Sequence, residues 1–454
     1  MTAPDATPAV RPDHPGTAPA GAPARSGGAV AAVGVLGCTG AVGRALVRRL
    51  REAGIGPLRL GGRDLTRVEA VASRLATPAS DPPHRAGVVP VDPVRGVRPV
   101  ETVRGVRPVD PVPDVGPVET VPDVGPVEAV RVDVEDARAL AAFCGGCRVV
   151  VNCAGPSARV LDTVARAALA AGAAYVDVAG DQIDRAPLRA VAAREAGPPG
   201  GPGPGGTAVL GAGMMPGLSA LLPRHLAAGF SRVDRLVAYV GGLDPFTPAA
   251  ARDYVASLAG GHGTPLAAWR DGGPVRGALR PARGVRLPGW PGRVSVYPYL
   301  AAETERLART LRIAEVEWWT VFDGDRTLDA LARAGDAEPE RAAEALVLAS
   351  RLEAFGREPY FQMVFELTGD GGGRTLVART GQSHELSAAV AAAATAAVLR
   401  GQMPAGVHEA GDVLSPREVF GRLDGDPALT RLTVRPVTRA AGDEADAPVE
   451  EGVL

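Results

Sequence analysis

The chain has 454 residues, 46% of them apolar, with a formal charge of −2, which is material for about two to three domains with ordinary cores. Its basic residues are spread along the chain, so neither nucleic acid nor an anionic membrane is expected as a partner. All 49 bases are arginine, which excludes mechanisms through a lysine Schiff base or a lysine general base.

Four cysteines (Cys38, Cys144, Cys147, Cys153) in a chain of this length do not make a disulfide framework and point to a reducing cytoplasm. Residues 1–28 are rich in Ala, Pro and Gly and hold no apolar segment, so they read as a disordered tail rather than a signal peptide. No later run reaches membrane-spanning length.

The stretch Ala29–Leu50 (AVAAVGVLGCTGAVGRALVRRL) organises the rest of the chain. A short apolar run, Val30 to Leu36, feeds Gly37, Gly40 and Gly43, and an amphipathic segment, Arg44 to Ala53, comes directly after. That order predicts strand, tight turn and helix, the first βα turn of a dinucleotide-binding unit. There the backbone must pass close to a pyrophosphate and the free N–H groups of the helix start face the anion. Gly56 to Gly62 reads as a second strand and Asp64 to Leu75 as a helix with Asp64 at its N-cap. Between them lies Arg63, where NAD-preferring domains usually carry an acid for the ribose 2′-OH. A cation at this point suits the 2′-phosphate, so the expected cofactor is NADPH.

From about Thr77 to Ala129 the pattern breaks into four tandem nonapeptides, starting at Val94, Val103, Val112 and Val121. Proline in every copy opposes an ordinary strand ladder. The segment is a disordered insert looping out of the domain or, alternatively, a proline-rich ligand or short repeat array.

The alternation resumes with a third strand at Val130 to Val134, Asp133 near its end, and a helix at Glu135 to Phe143. Next come a fourth strand, Arg148 to Asn152, and a helix at Val160 to Ala171. A fifth strand at Ala174 to Asp181 and a helix at Gln182 to Ala196 are next in line. After a Gly/Pro loop the sixth strand is Thr207 to Gly211, then Gly213-Met-Met-Pro-Gly217 and an apolar helix, Leu218 to Gly229. This is the signature of a doubly wound parallel sheet, an N-terminal Rossmann domain over residues 29–229. Past Phe230 the rhythm changes: a strand at Val233 to Val240 with a turn at Gly241-Gly242-Leu243, a helix at Thr247 to Leu258, and a glycine-rich loop, Gly260 to Gly273. Further strands are expected at Val294 to Tyr297, Glu315 to Phe322, Tyr360 to Thr368 and Arg374 to Thr380. Residues 230–385 are therefore expected to form a second α+β substrate domain on a mixed or antiparallel sheet. Residues 386–436 are expected to pack a helix and strand back on the core, and residues 437–454 to form a disordered tail.

Several blocks in this order resemble the saccharopine dehydrogenase-like family of NAD(P)-dependent oxidoreductases: GVLGCTGAVG, GGRDLTRVEA, VVVNCAGP, AAYVDVAGD and GMMPGLS, over about Val30 to Leu222. Weaker similarity continues in YLAAETERLA, TVFDG and AGVHEAGDVLSPREV. The resemblance implies that Gly37, Gly40 and Gly43, with Cys38, Thr39, Ala41 and Val42 between them, hold the pyrophosphate. It places Arg63 at the adenosine phosphate, Asp133 at the adenine region, and Asn152, Cys153, Ala154, Gly155 and Pro156 along the nicotinamide ribose. It also implies reduction or formation of C=N bonds, with relatives that act on enoyl groups or on thiazoline imines. Many relatives have Asp-Pro-Gly after the sixth strand, where this chain has Met215-Pro-Gly. The missing carboxylate makes saccharopine an unsuitable substrate and favours a neutral heterocycle or a carrier-protein-bound intermediate.

Imine reduction needs a hydride, supplied by the cofactor, and a proton, supplied by the protein. His262, between glycines in the second domain, is the leading donor, the alternative being a surface-loop histidine. Asp181, beyond strand five, is a donor or a helix N-cap, and Tyr175 is catalytic or core. Tyr297 and Tyr299 stand in reserve, while His225 reads as a helix-surface residue. Cys144-Gly-Gly-Cys147 comes after a helix and has no second ligand pair, so it reads as a turn and no metal is expected. The rivals to imine reduction are C=C reduction in trans on a polyketide or lipid intermediate, and a sensor or scaffold that keeps the nucleotide site. The partners expected are a small-molecule or carrier-bound substrate, and a homodimer stays open.

Overall fold

The structure, a computed structural model, describes residues 31–76, 124–180, 183–195, 206–258 and 263–436. The expected N- and C-terminal tails, the first three nonapeptides, Asp181 and His262 lie outside the described residues.

The opening apolar run forms β1 (Ala32–Leu36), four of whose residues are buried. Helix Ala41–Glu52 begins three residues before the expected start, since Gly43 packs inside its first turn along with the buried stripe Ala45, Leu46, Val47 and Leu50. Then come β2 (Leu58–Gly62) and helix Leu65–Ala76, whose Arg67 N–H donates to Asp64 Oδ1 at 3.2 Å, the expected cap. The third strand, β3 (Val127–Arg131), lies earlier than Val130 to Val134. The last nonapeptide runs into it: Val127, Glu128 and Ala129 pair with Leu58, Arg59 and Leu60, and Arg51 Nη1 donates to the Gly125 carbonyl at 2.8 Å. After β4 (Cys147–Asn152) the helix expected over Val160 to Ala171 is split into Ser157–Val160 and Thr163–Ala170, because Leu161 turns to φ 48°. β5 (Ala174–Asp177) stops before Asp181, and β6 (Thr207–Leu210) comes next.

In the second half β7 (Val233–Leu243) runs straight through the expected turn. Gly241 and Gly242 sit at φ 146° and 152°. A Cβ on Gly241 would lie 2.0 Å from the Val321 carbonyl oxygen, so the pair lets strands approach and does not reverse the chain. The glycine-rich loop holds three short strands, β8 (Gly263–Pro265), β9 (Ala268–Arg270) and β10 (Gly273–Val275). Trp269 among them is a core residue whose indole N–H donates to Ile313 O at 3.0 Å. The remaining strands are β11 (Ala282–Arg286), β12 (Arg293–Ala301), β13 (Glu315–Phe322), β14 (Tyr360–Gly369), β15 (Gly372–Thr380), β16 (Gly406–Glu409) and β17 (Leu429–Pro436).

These strands build two sheets. The first is parallel, in the order β16-β6-β5-β4-β1-β2-β3, a doubly wound Rossmann sheet with an extra edge strand from the C-terminal segment. The second is mixed: β10-β9-β13-β7-β14-β15-β17, with β12 alongside β13 and β8 and β11 paired to β12. Only β7 and β13 in it run parallel.

One apolar cluster joins the sheets through helices Leu218–Ala227 and Ser383–Leu399. The alanines of the latter (Ala388, Ala391, Ala394) are fully buried and allow it to sit close. Ion pairs fasten this region to helix Ala41–Glu52: Arg48 to Glu385 at 2.7 Å and Arg49 to Asp426 at 2.6 Å. No helix among the described residues is long and apolar enough to cross a membrane.

Candidate functional site

The turn after β1 is shaped by three glycines with different tasks. Gly37, at φ 72°, lies against the β4 loop; a Cβ there would be 2.6 Å from the Cys153 carbonyl and the Ala154 nitrogen. A Cβ on Gly43 would be 2.3 Å from Gly37 O, so this residue brings helix and turn together. Gly40 is exposed, and its Cβ would meet nothing closer than Gly37 O at 3.3 Å. It is the N-cap of helix Ala41–Glu52 and supplies no side-chain cap, leaving first-turn N–H groups for an anion. Cys38 is buried beneath the turn, its thiol donating to Gly61 O at 3.5 Å, and burial pushes that thiol up to about 11. Thr39, Ala41 and Val42 are half-buried around the bend. The Arg44 guanidinium donates to the Thr39 carbonyl at this bend and would add a cation beside a bound pyrophosphate, so the residues fit a dinucleotide.

Arg63 is exposed just past β2 and forms no hydrogen bond or ion pair among the described residues. The neighbouring carboxylate, Asp64, is engaged in its cap. A free guanidinium beside the turn fits a 2′-phosphate. Asp133 is exposed beyond β3, where its Oδ1 accepts from Glu135 N–H at 3.1 Å.

At the carboxyl ends of β4 and β5 two buried polar residues set the shape of both loops. Asn152 Oδ1 accepts from Ala154 N–H at 3.0 Å, while its Nδ2 donates to Asp177 Oδ2 at 3.2 Å. Asp177 Oδ1 accepts from Ala179 N–H at 2.6 Å, and the Tyr175 hydroxyl donates to Asp177 Oδ2. Burial raises the Asp177 carboxyl and the Tyr175 hydroxyl above their ordinary values. Tyr175 is thus fully buried in the Rossmann core with its hydroxyl engaged. Sequence reading missed Asp177; the signal was its i, i+2 relation to Tyr175, which puts both on one face of β5.

Cys153 to Pro156 continue from Asn152. Burial pushes the Cys153 thiol far up, which makes it a small apolar neighbour rather than an acid. Gly155 is exposed, under helix Pro248–Leu258 of the second half: a Cβ on it would be 3.4 Å from Ala249 Cβ. From that helix Asp253 Oδ1 accepts from Ser157 Oγ at 2.9 Å and from Ala158 N–H at 3.2 Å. Burial raises the Asp253 carboxyl.

The loop after β6 is held from outside. Met214 N–H donates to Ser387 Oγ at 3.2 Å and Gly217 N–H to Glu303 Oε1 at 2.7 Å, while Ser219 Oγ bonds the other Glu303 oxygen. Met215 is 44% exposed there. Asp244, just past β7, lies close to Ser383 and His384, and burial raises its carboxyl. Asp244 lies about 140 residues from the adjacent Ser383 and His384, so no local motif marked the group. Tyr254, on helix Pro248–Leu258, is close enough to Tyr297 and Tyr299 to feel both, and burial raises its hydroxyl. His225 stacks on Phe420 at 3.8 Å and is only half-buried. Cys144 and Cys147 are buried thiols at the foot of β4.

Residues 120–196 match the family model of the saccharopine dehydrogenase NADP binding domain. No curated protein matches the sequence. Among solved structures, the chain is similar to the apo form of saccharopine dehydrogenase (L-Glu forming) from Saccharomyces cerevisiae. The two share 13% identity and a TM-score of 0.56, over 89% of this chain and 99% of that one. A probable dehydrogenase from Thermotoga maritima aligns at 9% identity and a TM-score of 0.42, over 86% and 94% of the two chains. The chain thus resembles the saccharopine dehydrogenases in two respects: residues 120–196 match the family's NADP binding domain, and the two-sheet fold is shared with the yeast enzyme.

Proposed function

We propose that the chain is an NADPH-dependent reductase of a C=N bond, of imine, thiazoline or opine type, in a small or carrier-protein-bound intermediate. The observation that carries the cofactor half is the glycine turn: a helix start with no side-chain cap behind Gly37 and Gly40, with exposed Arg63 alongside. When bound, NADPH supplies a hydride. The chain's own residues then have four tasks. Gly37 to Gly43 hold the pyrophosphate, Arg63 takes the 2′-phosphate, and Asn152 and Asp177 fix the Cys153–Pro156 loop along the nicotinamide ribose. Helix Pro248–Leu258 anchors that loop through Asp253.

The residues around the loop indicate the substrate class. Met215 is exposed, Tyr254, Tyr297 and Tyr299 gather nearby in the second half, and Asp253 and Glu303 are engaged in internal hydrogen bonds. Such walls favour a neutral heterocycle over a dicarboxylic amino acid. His262 is assigned to deliver the proton to nitrogen, with Asp181 as its alternate. Four free cysteines fit a reducing cytoplasm. The test is NADPH oxidation by the purified chain against cyclic imines, thiazolines and enoyl thioesters. Turnover of an imine or thiazoline is expected, and turnover of enoyl thioesters alone overturns the reading.

A further inference from the structure

Helix Pro339–Ala354 turns Ala342, Ala343 and Leu346 inward, where they pack with Ala251, Val255, Ala330 and Ala334. Its other side carries Leu348 and Leu352, and Phe355 comes directly after its last turn. These side chains are 60%, 53% and 86% exposed, the three most exposed large apolar residues among those described. Spacings of four and three place them in one stripe, which exposed Ala345 extends back by a turn. Water meets roughly 400 Å² of apolar surface here, the size of the largest patch on a typical monomer, which is often functional.

The charges beside the stripe indicate what covers it. Glu344 and Arg351 are both exposed and lie two turns apart on the same flank; Glu344 also feels Arg252 of helix Pro248–Leu258, a guanidinium already paired with Glu340. We propose that this face joins two copies of the chain, the helices packing antiparallel about a two-fold axis beside Leu348. In that arrangement Leu348 meets its own equivalent, Leu352 meets Ala345, and Phe355 covers the aliphatic stem of Arg341. Glu344 of each copy meets Arg351 of the other, whereas a two-fold parallel pairing turns this flank toward the partner's opposite flank and leaves the two charges unmatched. The pattern is complementary to itself, which is why a second copy is the occupant. The patch is small for a specific interface, so the dimer forms in the micromolar range.

Sedimentation velocity on the full chain from about 1 to 100 μM tests this. The wild type shifts from monomer to dimer across the series, and Leu348→Glu stays monomeric throughout. Glu344→Arg or Arg351→Glu alone weakens the dimer at least tenfold, and combining the two restores it. Melting curves and NADPH binding unchanged from wild type establish that each variant is folded. A wild type that is monomeric throughout, a dimer indifferent to Leu348→Glu, or a double exchange that fails to restore association each overturns the proposal.

Discussion

Asp253 of the second half reaches across to Ser157, accepting from its Oγ at 2.9 Å and from Ala158 N–H at 3.2 Å, and so ties helix Pro248–Leu258 to the loop after β4. One carboxylate thereby caps the short helix Ser157–Val160 and holds the cover over Gly155. Asp253→Ala is expected to cost about 1–2 kcal/mol of stability and to weaken NADPH binding about fivefold. Asp253→Asn, which keeps an acceptor oxygen, is expected to lose far less. Thermal melting and calorimetry on the two variants check this, and equal losses contradict the capping role.

The three glycines of the first turn should respond differently to alanine. At Gly37 and Gly43 the added Cβ would sit 2.6 and 2.3 Å from backbone atoms, so both variants are expected to lose about 3 kcal/mol or more of stability. At Gly40 the nearest atom is 3.3 Å away, so Gly40→Ala is expected to melt close to wild type while losing tenfold or more in NADPH affinity. A Gly40→Ala protein that binds NADPH normally would sink the pyrophosphate assignment.

Arg63→Ala is expected to weaken NADPH binding by about 10–100-fold, the worth of a charge-assisted contact, and to leave NADH binding within about twofold. Titration with both nucleotides checks it. Equal loss for both refutes the 2′-phosphate role.

Cys38 gives an alkaline limit to stability. The fold holds its neutral thiol up to about 11, whereas in the unfolded chain a thiol ionises near 8.5–9. Between those values the folded state binds more protons than the unfolded one. This contribution is therefore complete below pH 9 and lost as pH rises toward 11, by up to about 3 kcal/mol. Cys38→Ser removes the titration while keeping a donor for Gly61 O. Its melting temperature is expected to fall less steeply over that interval than the wild type's, and parallel curves would exclude the thiol as the cause.

The Rossmann half was largely readable because its signals are local. Apolar runs of strand length, glycines at three-residue spacing and Asp64 before a helix each act within a few residues. What escaped depends on contacts made at a distance. Gly241-Gly242 looks like a turn, yet Val321 crosses so closely that glycine is needed inside a straight strand. Trp269 sits among glycines, yet its indole finds the Ile313 carbonyl and the core. The last nonapeptide reads like its sister copies, yet Leu58 to Leu60 offer it a strand to pair with. Asp177 stands out as a strand-end carboxylate only through Asn152, which folding brings beside it, and Asp244 meets Ser383 and His384 through folding alone.

β16 lies beside β6, and helix Ser383–Leu399 lies along helix Ala41–Glu52. The nucleotide half thus borrows both an edge and a roof from residues that lie more than 150 positions further along the chain. A nascent chain that has reached Gly229 still shows a bare strand margin beside β6 and an unsheltered apolar face on helix Ala41–Glu52 until residues 383–409 follow. Residues 29–229 cut out and expressed alone would inherit that unfinished state.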